Sequence, residues 1–85
     1  MTQYFVYIIE CENGALYTGF TTDIERRYAE HVAGSAKCKY TRSFPPKRLA
    51  AYWAFEDRSE ALSMEAKIKR MSVAEKKALI GAAQY

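Results

Sequence analysis

Six consecutive apolar residues, Tyr4 to Ile9 (YFVYII), constrain this chain more than any other stretch. They are aromatic and β-branched and do not alternate with polar residues, so they read as a strand covered on both faces, the central strand of a sheet. Glu10 to Gly14 (ECENG) follows, with Asn13-Gly14 as a strong hairpin signal, and Ala15 to Gly19 returns as a second strand. Two registers satisfy that signal. A two-residue Asn-Gly turn pairs Glu12 with Ala15 and sends Tyr7 and Tyr17 to opposite faces. A three-residue loop, Glu12-Asn13-Gly14 with Gly14 at positive φ, pairs Cys11 with Ala15, sets Tyr7 opposite Gly19 and brings both tyrosines to one face.

A helix follows from about Asp23 to Ala33. Thr22 stands at the N-cap with Glu25 three residues on, and Gly34 is a suitable terminating glycine. At about 100° per residue, Ile24, Tyr28 and Val32 form its apolar stripe, and Arg27 and His31 lie together along the edge of that stripe. Ser35 to Lys47 is a long connection for so small a domain. Pro45-Pro46 keeps the third strand, Arg48 to Phe55, from starting earlier. Asp57, with Glu60 three on, caps a helix running to about Met71. Ser72 with Glu75 repeats the signature and opens a last helix to about Ile80, ended by Gly81. The order is β-β-α-β-α-α: an α+β fold with a small three-stranded antiparallel sheet flanked by helices, one domain over residues 1–85.

Composition narrows the function. With 49% hydrophobic and 27% charged residues the chain is globular. No apolar run approaches the ~20 residues of a membrane span, and Met1-Thr2-Gln3 lacks the basic start of a signal peptide, so the sequence predicts a cytoplasmic protein with no membrane partner. Cys11 and Cys38 form no CxxC pair and the one histidine cannot complete a zinc set with them; they read as reduced thiols. The net charge of +3 is unevenly spread. Between His31 and Phe55 there is no acidic residue, while Lys37, Lys39, Arg42, Lys47 and Arg48 all fall there, with Tyr40 and Phe44 among them. Such a loop suits nucleic acid: cations for phosphates, aromatics for unpaired bases, and nothing to read base edges. Five phosphate contacts would give a salt slope of about −4 to −5 and weak binding at physiological salt. A merely solvated basic loop has the same composition.

Glu65 is the most informative isolated residue. The later helix carries its apolar arc on Ala61, Leu62, Met64, Ile68 and Met71, and Glu65 falls inside that arc. A charged carboxylate buried without a partner costs on the order of several kcal/mol, so it requires a cation, a metal or a route to water. A pair with Lys69, one turn on, satisfies it as well. Taken singly, Tyr7 and Tyr17 are ordinary strand core, His31 a buried histidine and Arg27 a surface charge.

In combination they resemble the GIY-YIG nuclease family. That family has two tripeptide motifs on paired strands, a helix carrying an arginine and then a histidine or tyrosine one turn on, and a glutamate on a later helix. Here Val6-Tyr7 stands for the first motif and Tyr17-Thr18-Gly19 for the second; Arg27 lies eight residues beyond Gly19, His31 follows, and Glu65 stands in the later helix. The match covers residues 4 to 70 and looks like a small stand-alone member.

The resemblance implies an endonuclease that hydrolyses nucleic acid, DNA rather than RNA, with little sequence specificity and one divalent cation, Mg²⁺ or Mn²⁺, held by Glu65. Tyr7 and Tyr17 would position the attacking water and one of them deprotonate it. Arg27 would supply the charge a phenol of pKa near 10 needs beside it, and His31, with an ordinary pKa near 6.5, would relay the proton. That chemistry selects the three-residue hairpin loop, because both tyrosines must share a face. Gly19 enters as the structural glycine of the second motif. Three positions depart from the pattern: Phe5 replaces the usual glycine and narrows the approach, Phe20 stands where some relatives have lysine, and no asparagine follows Glu65. The alternative reading is a catalytically weak nucleic-acid-binding module using the loop from Lys37 to Arg48, and a chain this short suits a dimer or a partner protein.

Overall fold

The computed structural model describes residues 3–34 and 44–83. Strand β1 (Tyr4–Cys11) lies between β2 (Leu16–Thr21) and β3 (Pro46–Phe55), antiparallel to both. Its unbroken apolar run is covered on both faces, with Val6, Ile8, Ile9 and Cys11 fully buried. Among the described residues, three helices provide the cover: α1 (Ile24–Ala33), α2 (Arg58–Lys69) and α3 (Val73–Ala83). Val6 and Ile8 pack with Ala50 against Ala61 and Ile68 of α2 and Ile80 of α3. Tyr7, Ile9 and Cys11 face the other way, onto Tyr17, Leu49 and the Ile24 and Tyr28 of α1. The layers are therefore α1, sheet, then α2 with α3. Full burial stabilises each such aliphatic side chain by about 1.5–3 kcal/mol.

The hairpin takes the three-residue loop. The Cys11 N–H donates to the Ala15 carbonyl at 2.8 Å, the Gly14 N–H donates to the Cys11 carbonyl at 2.9 Å, and Gly14 sits at φ 85°. That φ is what an L side chain rarely adopts, and it fixes the register in which Tyr7 faces Gly19. Helix α1 stops as expected: Gly34, at φ 70°, turns its N–H back to the Glu30 and His31 carbonyls.

Several boundaries differ from the sequence expectation: β1 continues past Ile9 to Cys11 and β2 past Gly19 to Thr21. The N-cap of α1 is Asp23, not Thr22; its side chain accepts from the Arg26 N–H at 3.1 Å, while the Thr21 hydroxyl accepts from the Asp23 N–H at 3.1 Å. A carboxylate at the cap also suits the positive end of the helix. Strand β3 begins at Pro46 rather than Arg48, because an edge strand tolerates a residue without an N–H, and the Pro45 carbonyl continues the pairing by accepting from the Glu12 N–H at 2.8 Å. Register shifts opposite Ile8/Ile9 and Glu10/Cys11 leave Ala50 and Lys47 as the extra residues. Helix α3 opens with both bonds of the Ser72–Glu75 capping box, at 3.0 and 3.2 Å, but runs through Gly81 to Ala83. A helix-interior glycine costs about 1 kcal/mol, which burial of the neighbouring Ile80 offsets.

Of the two thiols, Cys11 is free and buried, and burial pushes its pKa up, as fits an unreactive core residue. Cys38 lies outside the described residues. No described helix is long and apolar enough to cross a membrane.

Candidate active site

Tyr7 sits at the centre of the face covered by α1. Directly opposite on β2 is Gly19, and the tyrosine ring lies across it: a Cβ built there would overlap the Tyr7 hydroxyl and Cζ and stand 2.9 Å from Cε2. Glycine is required here for space, not for backbone freedom. With the ring in that place, its hydroxyl reaches helix α1 at the edge where Arg27 and His31 lie four residues apart. The Arg27 Nε–H donates to the Tyr7 oxygen at 3.4 Å, and the same oxygen lies 3.0 Å from His31 Nε2.

A guanidinium only donates, so the Tyr7 oxygen accepts from Arg27, and the tautomer of His31 sets whether the hydroxyl donates to Nε2 or accepts from it. His31 is 1% exposed, and burial together with the Arg27 charge pushes its pKa down to about 4, opposed in part by Glu30. The expectation of an imidazole titrating near its ordinary value is thereby corrected. His31 is neutral at neutral pH, because a low-polarity site beside a fixed cation disfavours a second positive charge.

Tyr17 completes the group. Its ring stands edge-on to His31 at 5.2 Å between centroids and is 6.5 Å from the Tyr7 ring, so both tyrosines share the face. Tyr7 is 2% exposed, whereas Tyr17 and Arg27 are half-buried, so these two form the approach. Arg27 is aimed by Glu30, whose Oε1 accepts from Nη1 at 3.2 Å. Sequence reasoning passed over Glu30, although its spacing of three from Arg27 on one helix was the available signal.

Glu65 is on the other side of the sheet, on α2. Its side chain is 18% exposed and its Oε2 lies 3.4 Å from the Nζ of Lys69, which is 56% exposed. The pair with Lys69 is thus the partner that the apolar arc required. No hydrogen bond or ion pair among the described residues joins Glu65 to the four residues around Tyr7. Its flank of α2 nevertheless faces β2: Arg58, two turns earlier, holds its guanidinium 5.9 Å from the centre of the Phe20 ring.

Of the basic residues, Lys47 and Arg48 are exposed on β3, and Arg48 Nε donates to Glu10 Oε1 at 2.6 Å, which holds the Glu10 carboxyl below its usual range. Part of the Arg48 charge is therefore matched within the fold. Lys37, Lys39, Tyr40 and Arg42 lie outside the described residues. Phe5 packs edge-to-face on Tyr52, with 6.2 Å between ring centroids.

A profile of the GIY-YIG catalytic domain matches residues 3–78 of the chain, spanning all the residues above. The chain belongs to the GIY-YIG family. A UPF0213 protein of Cupriavidus pinatubonensis is 50% identical over 74 residues, covering 87% of this chain and 81% of the relative. One from Halobacterium salinarum is also 50% identical over 74 residues, covering 87% and 95%. The solution NMR structure of a UPF0213 protein from Bacillus halodurans superposes with a TM-score of 0.62 at 42% identity, covering 94% of this chain and 84% of that one. A GIY-YIG domain is a nuclease domain, so nucleic acid is the substrate class that comes with membership.

Two outcomes follow from the geometry. Gly19→Ala is expected to push the Tyr7 ring off His31 and cost about 1–3 kcal/mol, as overpacking does; unchanged urea stability would contradict the placement of the ring. The second concerns pH. The unfolded chain protonates His31 near 6.5 but the folded chain only near about 4, so this stabilisation is full above pH 6.5 and is lost as pH falls towards 4. The gap corresponds to roughly 3 kcal/mol. Urea titrations between pH 7 and 4 are expected to show this loss in the native protein and not in His31→Gln.

Proposed function

We propose that this chain is a divalent-metal-dependent endonuclease that hydrolyses phosphodiester bonds in nucleic acid, DNA rather than RNA, with little sequence specificity. The observation that carries the reading is the Tyr7 hydroxyl held between the Arg27 guanidinium and the neutral His31 imidazole, on one face with Tyr17. With the imidazole hydrogen on Nδ1, the Tyr7 oxygen accepts from Arg27 and donates to His31 Nε2. The attacking water gives a proton to Tyr7 as Tyr7 passes its own to His31 Nε2, so no free phenolate has to form. The Glu30 carboxylate offsets the positive charge that His31 gains. Tyr17 orients the water from the open side, and Arg27 stabilises negative charge developing on the phosphate.

The metal assignment rests on donor chemistry. Among the described residues no group of three or more His, Cys, Asp or Glu gathers to enclose an ion. Glu65 offers one hard carboxylate whose ion-pair partner among the described residues is an exposed lysine on a flexible stem, which suits a Mg²⁺ or Mn²⁺ that keeps most of its water. Bound there, the ion would supply Lewis-acid stabilisation of the phosphate oxygens and leaving group.

The binding-module reading makes the opposite prediction for the same variant. Cleavage of labelled DNA with Mn²⁺ is expected to be lost in EDTA and in Glu65→Ala while DNA binding persists, and to fall about 10²–10⁴-fold in Tyr7→Phe. Full cleavage by Glu65→Ala would remove the metal assignment. A folded protein that binds DNA without cutting it, and loses binding on charge reversal at Lys39, Arg42 and Lys47, would establish the module instead.

A further inference from the structure

Tyr52 is the Cα partner of Tyr7 across the β1–β3 pairing, so the two side chains leave the same face of the sheet. They differ in exposure: Tyr7 is 2% exposed and Tyr52 44%. Phe5, two residues before Tyr7 on the same face, meets the Tyr52 ring edge-to-face, with 6.2 Å between centroids and 65° between planes. The two rings border a cleft of about 450 Å³ whose other wall is the start of α1, from Thr22 to Glu25. Clefts of a few hundred Å³ are typical of small planar ligands.

We propose that Tyr52, buttressed by Phe5, is a stacking platform for one unpaired nucleobase next to the phosphodiester held at the Tyr7 cluster. This specifies the substrate of the nuclease reading and rests on it. Three features select a base over a phosphate. The exposed surface is aromatic, and base–aromatic stacking is the sequence-tolerant way to hold an unpaired nucleotide. The ionisable residues lining the cleft, Asp23 and Glu25, are both acidic, so a phosphate is repelled while the amino groups of a base find acceptors. The position is continuous with the candidate site, one strand over from Tyr7. Phe5, which departs from the glycine of the family motif, acquires a role here, since a glycine could not hold the Tyr52 ring. A base within an intact duplex is already stacked and paired, so the platform favours single-stranded or frayed substrates.

The test is equilibrium binding by fluorescence anisotropy in EDTA, where no cleavage intervenes, on a single-stranded DNA oligonucleotide and on the same strand in a full duplex. Tyr52→Ala is expected to weaken single-strand binding by about tenfold and leave duplex binding unchanged, while Tyr52→Phe keeps native affinity. Tyr52→Val, which retains strand propensity, should match Tyr52→Ala and so separate lost stacking from lost folding. Abasic substitutions placed singly along the oligonucleotide should abolish the difference between native protein and Tyr52→Ala at one position. Single-strand binding that is native in both truncations, or is lost equally on the duplex, overturns the platform while leaving the nuclease reading standing. A native protein that binds neither DNA at low salt overturns both.

Discussion

The hydrogen bond between the Tyr7 hydroxyl and His31 Nε2, 3.0 Å long and buried, is the interaction on which the site depends. It joins the central strand to α1, and it can form only where several independent requirements coincide. Gly19 must lack a side chain, the hairpin must use the three-residue loop, and His31 must remain uncharged. Each has its own local cause: the space occupied by the ring, Gly14 at positive φ, and burial beside Arg27. A buried hydroxyl without partners costs about 1–3 kcal/mol, so the same bond that prepares the site also closes the core.

The sheet divides the labour. Val6 and Ile8 anchor α2 and α3 on one face, a layer of ordinary aliphatic packing, and the other face carries the tyrosines, the arginine and the histidine. The exposed edge of that second face has a different character again: Phe5 and Tyr52 present aromatic surface beside the carboxylates of Asp23 and Glu25. Glu65 belongs to the scaffold layer, on α2, where it pairs with Lys69. A single strand, β1, therefore transmits the packing of one layer to the geometry of the other.

Much of this was legible in the sequence because the strongest signals were local. Six apolar residues in a row marked a strand buried twice, and Asn13-Gly14 marked the turn, though the loop length followed from the need to place Tyr7 and Tyr17 together. Arg27 and His31 met through helical spacing. What the sequence did not show depended on three-dimensional surroundings. Thr22 and Asp23 are adjacent capping residues, and only the backbone decides between them. Pro46 enters β3 because that strand is at the edge. His31 loses its ordinary titration through burial, and the exposure of Tyr52 follows from how much of the sheet α1 leaves uncovered.

The measurement that tests the central claim most directly is the ¹⁵N and ¹H NMR titration of the His31 imidazole, the one histidine in the chain. The account predicts a neutral ring at pH 7 with its hydrogen on Nδ1, a shift of Nε2 in Tyr7→Phe, and protonation only near about 4. A ring that titrates near 6.5, or that carries its hydrogen on Nε2, would contradict the proton path from Tyr7 to His31.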